Sequence, residues 1–187
     1  KGGLMLTDEN MPDALAGLAS IYREATNSNS PNYQFLCFYR IIEGIEIIHK
    51  REARKNKTAA TAPPVVGSET IASDPDKQIL WLKSLFLDNL WSDLALDQIF
   101  PPDAVGKELN EITKKGGPLF DIRAKIAHTF VEVHSDDVFS SDKSSSIGAV
   151  STWLPLCKCI AVHLLKRQYP FFFPALSVVH KNIGGGD

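Results

Sequence analysis

The sequence predicts an all-α protein, a bundle of five to six helices. Apolar residues recur every three or four positions in several segments, and clusters of proline, glycine or serine separate these segments. With 187 residues, 44% hydrophobic and 22% charged, the chain fits one domain with a packed core. We expect this domain at 10–174, after a leader or linker from an upstream segment at 1–9 and before a flexible tail at 175–187.

The first two helices are predicted from a capping signal and from periodicity. Asn10 before Met11-Pro12-Asp13 is a typical helix start, and this helix is expected to end near Ala25. The second helix runs from Tyr33 to about Lys57. Its apolar stripe is formed by Phe35, Phe38, Ile42, Ile45 and Ile48, and its polar stripe by Arg40, Glu43, Glu46 and Lys50.

The middle of the chain is predicted as a loop and two helices. Residues 58–73 contain small residues and prolines without a period, which is typical of a mobile loop. Asp74-Pro75 then starts a helix with apolar residues on most sides, which should be buried among others and end at Pro101-Pro102. A short helix near 104–113 ends at the basic, glycine-rich stretch 114–117.

The last third is predicted to contain two more helices. Pro118 starts one that ends near Thr129, and the alternating residues 130–134 then form either a helical tail or a strand of a short β-hairpin. After a loop at 135–146, the final helix spans about 151–169, with Pro155 in its first turn or kinking it. Phe171-Phe172-Phe173 is expected to fill the core rather than a dimer interface.

Composition excludes several classes of function. Twenty Lys and Arg against 22 Asp and Glu give a net charge of −2, so nucleic acid could be contacted only through a local basic patch. Three cysteines cannot form a closed disulfide framework, which favours the cytoplasm, and charges interrupt every apolar run, which argues against a membrane span. Cys157 and Cys159 lie about 200° apart on a helix, and there is no metal or phosphate-binding motif, so we expect no cofactor.

Arg123 is the first candidate functional residue. At 100° per residue, it falls in the same sector as Leu119, Ile122 and Ile126, where a guanidinium must be paired or must line a groove. His128 lies about 140° further round, beside Asp121, Ala124 and Lys125. A purely structural alternative is an ion pair between Arg123 and a buried carboxylate, for which Glu43 is the best candidate.

Two segments resemble a known superfamily. Arg123-Ala-Lys-Ile-Ala-His128 resembles the Arg-x4-His motif of HEPN domains, and residues 33–44 are similar to an early helix of bacterial HEPN-like proteins described as MauJ-like. The resemblance covers about residues 10–170. Many HEPN proteins are metal-independent ribonucleases of toxin–antitoxin, abortive-infection or CRISPR-linked systems, in which two copies join their motifs in one cleft.

The resemblance implies a catalytic pair, Arg123 and His128, with Glu43 and Arg40 as neighbours in the cleft and Asp121 and Lys125 in support. It implies a homodimer, RNA as substrate, and an antitoxin or other partner protein. One position departs from the motif: Ala124 stands where a polar residue, often Asn, is common, which leaves open a non-catalytic module that binds RNA, nucleotide or a protein. The chemistry is coherent, because a histidine transfers protons near neutral pH and an arginine binds phosphate oxygens.

The end of the second helix is a further candidate. Residues 49–57 carry five basic side chains and one acidic side chain, a local charge of +4. Such a stretch complements the helix dipole, and it could also contact an RNA backbone. The RNA-binding candidates are Lys50, Arg51, Arg54 and Lys55.

Overall fold

The computed structural model describes residues 12–55, 69–85, 95–129 and 144–170, without the side chains of residues 128, 129 and 144–147. Helices account for most of these residues and no strand occurs within them, so the predicted all-α fold is confirmed. The helices are α1 (Asp13–Asn27), α2 (Pro31–Lys55), α3 (Pro75–Leu85), α4 (Leu109–Thr113), α5 (Pro118–Thr129) and α6 (Ser144–Gln168). Two short 3₁₀ turns, Leu96–Gln98 and Pro102–Ala104, precede α4.

Helices α2 and α6 form the centre of the bundle. The apolar stripe predicted for α2 is buried at Phe35, Phe38, Ile42 and Ile45, and neighbouring faces are buried too at Cys37, Tyr39 and Ile41. Helix α6 packs along α2 and is buried on nearly every side between Val150 and Leu165. Burial of apolar surface contributes about 25 cal/mol per Å², so this pair of helices contributes most to stability.

Helix α6 differs from its prediction in two ways. It begins at Ser144 instead of near Ser151, so Pro155 lies inside the helix. The helix continues past Pro155 because Trp153 and Leu156 are both anchored in the core. By length and composition Gly148–Gln168 could cross a membrane, although the sequence analysis argued against any such span. Inside the fold, however, 56% of this stretch is buried, which is compatible with a soluble protein.

Other predicted boundaries are also wrong. Residues 96–98 form a 3₁₀ turn, so an α-helix does not continue from Pro75 to Pro101, and Leu80 of α3 is 65% exposed rather than buried. Helix α4 is shorter than predicted because Gly106, with φ of 80°, interrupts the segment before it. At the start of α1, Pro12 occupies the N-cap position that was predicted for Asn10.

The last residues of the predicted loop 58–73 are held by main-chain hydrogen bonds. Thr70 and Glu108 form an isolated antiparallel bridge, which Leu109 N reinforces by donating to Glu69 O at 2.8 Å. Ile71 N donates to Lys107 O at 3.0 Å. These bonds fix residues 69–71 against the start of α4.

A tight turn at 114–117 determines where α5 begins. Gly116 has φ of 82°, and a Cβ on Gly117 would lie 2.6 Å from the main-chain oxygen of Ile112. Both positions therefore require glycine. Pro118 then starts α5, as predicted.

Several predictions lie outside the described residues. They concern Asn10 itself, the leader 1–9, residues 58–68 of the loop, residues 86–94, the helical tail or β-hairpin at 130–134, Phe171-Phe172-Phe173 and the tail 175–187.

Candidate functional site

Helix α5 brings the predicted catalytic arginine to the edge of the bundle. Leu119, Ile122 and Ile126 are buried, which confirms the predicted core stripe of this helix. Arg123 lies between them in sequence, but its long side chain is 38% exposed. The aliphatic part of such a side chain can cover apolar surface while the guanidinium reaches solvent.

Glu43 of α2 is the partner of Arg123. Arg123 Nη2 lies 3.5 Å from Glu43 Oε1, so the partner predicted from the sequence is confirmed. The side chain of Glu43 is 36% exposed, however, and the prediction of a buried carboxylate is wrong. Ion pairs with this exposure contribute about 0–1 kcal/mol to stability, because water screens both charges.

Tyr39 lies one turn before Glu43 on α2 and is buried. Its hydroxyl donates a hydrogen bond to the main-chain oxygen of Thr113 at 2.9 Å. Burial, and then the charge of Glu43, raise the pKa of Tyr39, so the phenol remains a donor. This bond ties α2 to the end of α4, just before the turn that starts α5. We call Tyr39, Glu43 and Arg123 the Arg123 site.

In the part of the chain that the structure describes, the other predicted site residues are not shown in contact with the Arg123–Glu43 pair. Arg40 is exposed on α2, one turn before Glu43. Asp121 and Lys125 are exposed on α5, about 200° around the helix from Arg123, so the structure does not bring them to Glu43. His128 belongs to α5 five residues after Arg123, and its side chain lies outside the described atoms.

The RNA-binding candidates are all exposed at the end of α2: Lys50, Arg51, Arg54 and Lys55. Lys50 Nζ lies 3.2 Å from Glu46 Oε2, one turn back. Because 7 and 11 residues are close to whole numbers of helical turns, Lys50 and Arg54 each fall within about 20° of Glu43, on opposite sides of it. We call Lys50 and Arg54 the basic stripe, which begins about 10 Å along α2 from Glu43.

Comparison with known proteins identifies the family. The model of the family described as methylamine utilization protein MauJ matches residues 18–166, about four fifths of the chain. The chain belongs to this family. No curated protein and no solved structure matches it. The MauJ resemblance inferred from the sequence is thus confirmed, whereas a relation to HEPN domains through the Arg-x4-His motif stays a prediction.

A second polar cluster in this MauJ-family chain was missed by the sequence analysis. Glu69 Oε1 accepts a hydrogen bond from Arg167 Nη1 at 2.8 Å, and Glu69 Oε2 lies 2.6 Å from His163 Nε2. The second approach falls outside the geometry of a regular hydrogen bond. His163 and Arg167 are one turn apart on α6, a signal the sequence offered, but nothing in it placed Glu69 beside them. We call these three residues the Glu69 cluster.

Burial governs the charge of His163. Burial lowers the pKa of its imidazole below 6.5 and outweighs the opposite effect of Glu69. The ring is therefore neutral near pH 7, and Arg167 supplies the positive charge that balances Glu69. His163 also packs against Trp81, with ring centroids 5.6 Å apart at an angle of 52°.

A cavity of about 340 Å³ lies next to the Glu69 cluster. Its walls come from residues 69–72, from α3, and from Phe100 and Leu109. Gln78 lines it and donates a hydrogen bond from Nε2 to the main-chain oxygen of Ala72 at 2.6 Å.

The buried cysteines play a packing role, as predicted. Cys157 and Cys159 are buried in α6, and burial raises the pKa of Cys159 to about 12. A thiol with so high a pKa is protonated near pH 7 and is a poor nucleophile.

Proposed function

We propose that this chain is a metal-independent endoribonuclease of the HEPN type, acting as a cytoplasmic homodimer in bacterial defence or stress response. The observation that carries the proposal is Arg123, whose side chain is more than a third exposed and contacts Glu43 of α2, on the helix that also carries His128. The family description refers to methylamine utilisation and names no reaction. The proposal therefore depends on the residues themselves.

The reaction uses the RNA's own nucleophile. The 2′ oxygen forms a bond to the adjacent phosphorus while the bond from phosphorus to the 5′ oxygen of the next nucleotide breaks. His128 of one chain accepts the 2′ proton, and His128 of the second chain supplies a proton to the departing 5′ oxygen. The products are a 2′,3′-cyclic phosphate and a 5′ hydroxyl, and neither water nor metal is consumed.

Arg123 suits the phosphate because Glu43 engages only part of its guanidinium. An arginine has five N–H donors in a fixed fork, and the Glu43 contact is made by one nitrogen. The remaining donors can bind two phosphate oxygens and stabilise the charge that develops on them. In this role Glu43 orients the guanidinium and does not transfer a proton.

The basic stripe supports RNA binding beside the Arg123 site. Lys50 and Arg54 lie on the same face of α2 as Glu43, so a backbone that reaches Arg123 can continue along them. Each phosphate neutralised by such a side chain contributes a slope of about −0.7 to the salt dependence of binding to single strands. We expect Arg54→Glu to weaken RNA binding at low salt and to flatten that dependence.

A second candidate function is a non-catalytic module of the same fold that binds RNA, nucleotide or a partner protein. Ala124 favours it, because a methyl group at this position cannot orient a neighbouring histidine. In this case RNA would bind at the basic stripe and stay intact.

The decisive experiment is cleavage of a defined RNA by the purified chain in the presence of a chelator. We expect a 2′,3′-cyclic phosphate end, and no cleavage when the nucleotide at the cut carries a 2′ hydrogen. His128→Ala should lower the rate by about 100- to 10,000-fold, and Arg123→Ala by about 100- to 1,000-fold.

The matched control for Arg123→Ala is Arg23→Ala, which removes an exposed arginine from α1. The control should cleave like the unchanged chain, and every variant should still unfold cooperatively, with at most the small loss of stability expected for an exposed ion pair. Cleavage that a chelator stops would exclude the mechanism. RNA binding without cleavage would support the non-catalytic module instead.

A further inference from the structure

We propose that the cavity beside the Glu69 cluster is a binding site for a small, uncharged, fused-ring nitrogen heterocycle. Its ring would pack on Trp81, and its N–H would donate to Glu69. This site is independent of the proposed ribonuclease activity, because none of its residues belongs to the Arg123 site or to the basic stripe.

The size of the cavity fits such a ligand. At about 340 Å³, it lies at the small end of the volumes typical for pockets that bind small molecules. The apolar walls are Ile71, Trp81, Phe100 and Leu109, and they face Glu69, Lys77 and Gln78. A mostly apolar lining with a few polar groups is typical of a ligand pocket. Such a lining favours a flat aromatic ring over a sugar or a highly charged ligand.

Trp81 provides the surface for the ring. Its indole contacts Phe100 with centroids 5.8 Å apart at 50°, and His163 at 5.6 Å and 52°. Both neighbours are tilted, so neither covers the indole by parallel stacking, and the indole also lines the cavity. An aromatic ligand that packs there would gain the offset or edge-on contact that ring pairs prefer.

Glu69 provides the acceptor and also argues against a charged ligand. Each of its oxygens already meets one side chain of α6, but a carboxylate oxygen has a second lone pair, and this side chain is 45% exposed. Its negative charge is balanced by Arg167 at 2.8 Å, so a cationic ligand gains little there. A neutral N–H donor keeps that balance.

The walls of the cavity are held in place before any ligand arrives. Residues 69–71 are bonded to 107–109 through the main chain, and Gln78, only 6% exposed, holds Ala72. A cavity with fixed walls lowers the entropy cost of binding, since little ordering of loops is required.

The test uses indole and benzofuran, two rings of nearly the same shape of which only indole has an N–H. Binding to the purified chain is detected by ligand-observed NMR. The dissociation constant is then measured by titrating the chain with each compound and following the chemical shifts of the protein. We expect indole to bind with a dissociation constant of about 1 mM or tighter, and benzofuran to bind about fivefold more weakly for want of one hydrogen bond.

Two variants locate the site. Ala72→Phe should fill the cavity and abolish indole binding, whereas Leu80→Phe adds the same ring at an exposed position of α3 and should leave it unchanged. Glu69→Ala should make indole and benzofuran bind equally. Thermal melting establishes that each variant is folded.

The proposal would be overturned if neither ring binds, or if Ala72→Phe binds indole as the unchanged chain does. Equal binding of the two rings to the unchanged chain would also contradict it, since Glu69 would then make no specific contact. RNA cleavage by Ala72→Phe distinguishes the two proposals: it should be normal if the cavity and the Arg123 site act independently.

Discussion

The Arg123 site and the Glu69 cluster each place an arginine against a glutamate, and in both pairs the two side chains are more than a third exposed, yet their contacts and surroundings differ. Arg123 and Glu43 are 3.5 Å apart. Glu69 is met by two side chains of α6 at 2.6 and 2.8 Å, one of them the largely buried His163, with an aromatic ring and a cavity behind it.

The difference teaches that an ion pair alone says little about a site. The Arg123–Glu43 pair is weak as a structural bond, so its arginine is available to a phosphate. In the Glu69 cluster the contacts are shorter, and the walls of the adjoining cavity are mostly apolar. These features favour binding of a neutral ligand over binding of a charged one. We therefore expect the buried groups next to each ion pair to contribute more to the free energy of unfolding than the exposed ion pairs do.

The largest expected effect on stability comes from removing the hydroxyl of Tyr39, the buried member of the Arg123 site. Tyr39→Phe should lower the free energy of unfolding by about 1–2 kcal/mol, because it leaves the Thr113 carbonyl without its donor. Denaturant unfolding measures this. Tyr22→Phe is the matched control: the hydroxyl of Tyr22 is buried without a partner in the described part of the chain, so stability should stay equal or rise. Equal losses in both variants would contradict this assignment.

A smaller effect is expected for the ion pair itself. Arg123→Ala should lower the free energy of unfolding by about 1 kcal/mol or less, because both charges are partly solvated. A double-mutant cycle with Glu43→Ala should give a coupling energy in the same range. A loss of about 3–5 kcal/mol would instead show a buried pair with a structural role.

The smallest effect concerns the protonation of His163. The pKa of His163 in the folded chain lies below its ordinary value of 6.5. At a pH between the folded pKa and 6.5, the imidazole is mostly protonated in the unfolded chain and mostly neutral in the folded chain. Stability should therefore fall as the pH drops from about 7 to 5. The groups that face the ring are Glu69, Arg167 and Trp81.

Thermal melting over this pH range, compared between the unchanged chain and His163→Gln, measures the contribution of His163. The variant should lose less stability toward acid pH, since its side chain does not titrate. Parallel profiles for the two chains would mean that the pKa of His163 is the same in the folded and unfolded states.

Local sequence signals predicted the elements that depend on neighbours in the chain. Periodicity found α2 and the buried stripe of α5, and glycine followed by proline found the start of α5. Prediction failed where distant packing decides the outcome. Helix α6 accepts Pro155 in its interior because α2 packs against it, and the end of the loop 58–73 is fixed by hydrogen bonds to 107–109.

The Arg123 site and the Glu69 cluster show the same division between what local sequence signals predict and what distant packing decides. The sequence by itself determined the helical class and the place of an arginine in an apolar stripe, because a helix repeats every 3.6 residues and side chains so spaced share a face. Only the tertiary structure brought Arg123 to Glu43 and left both side chains more than a third exposed, and only it joined Glu69 to His163 and Arg167 across nearly a hundred residues. Solvent exposure and contacts between distant segments arise when helices pack together, and no local pattern encodes them.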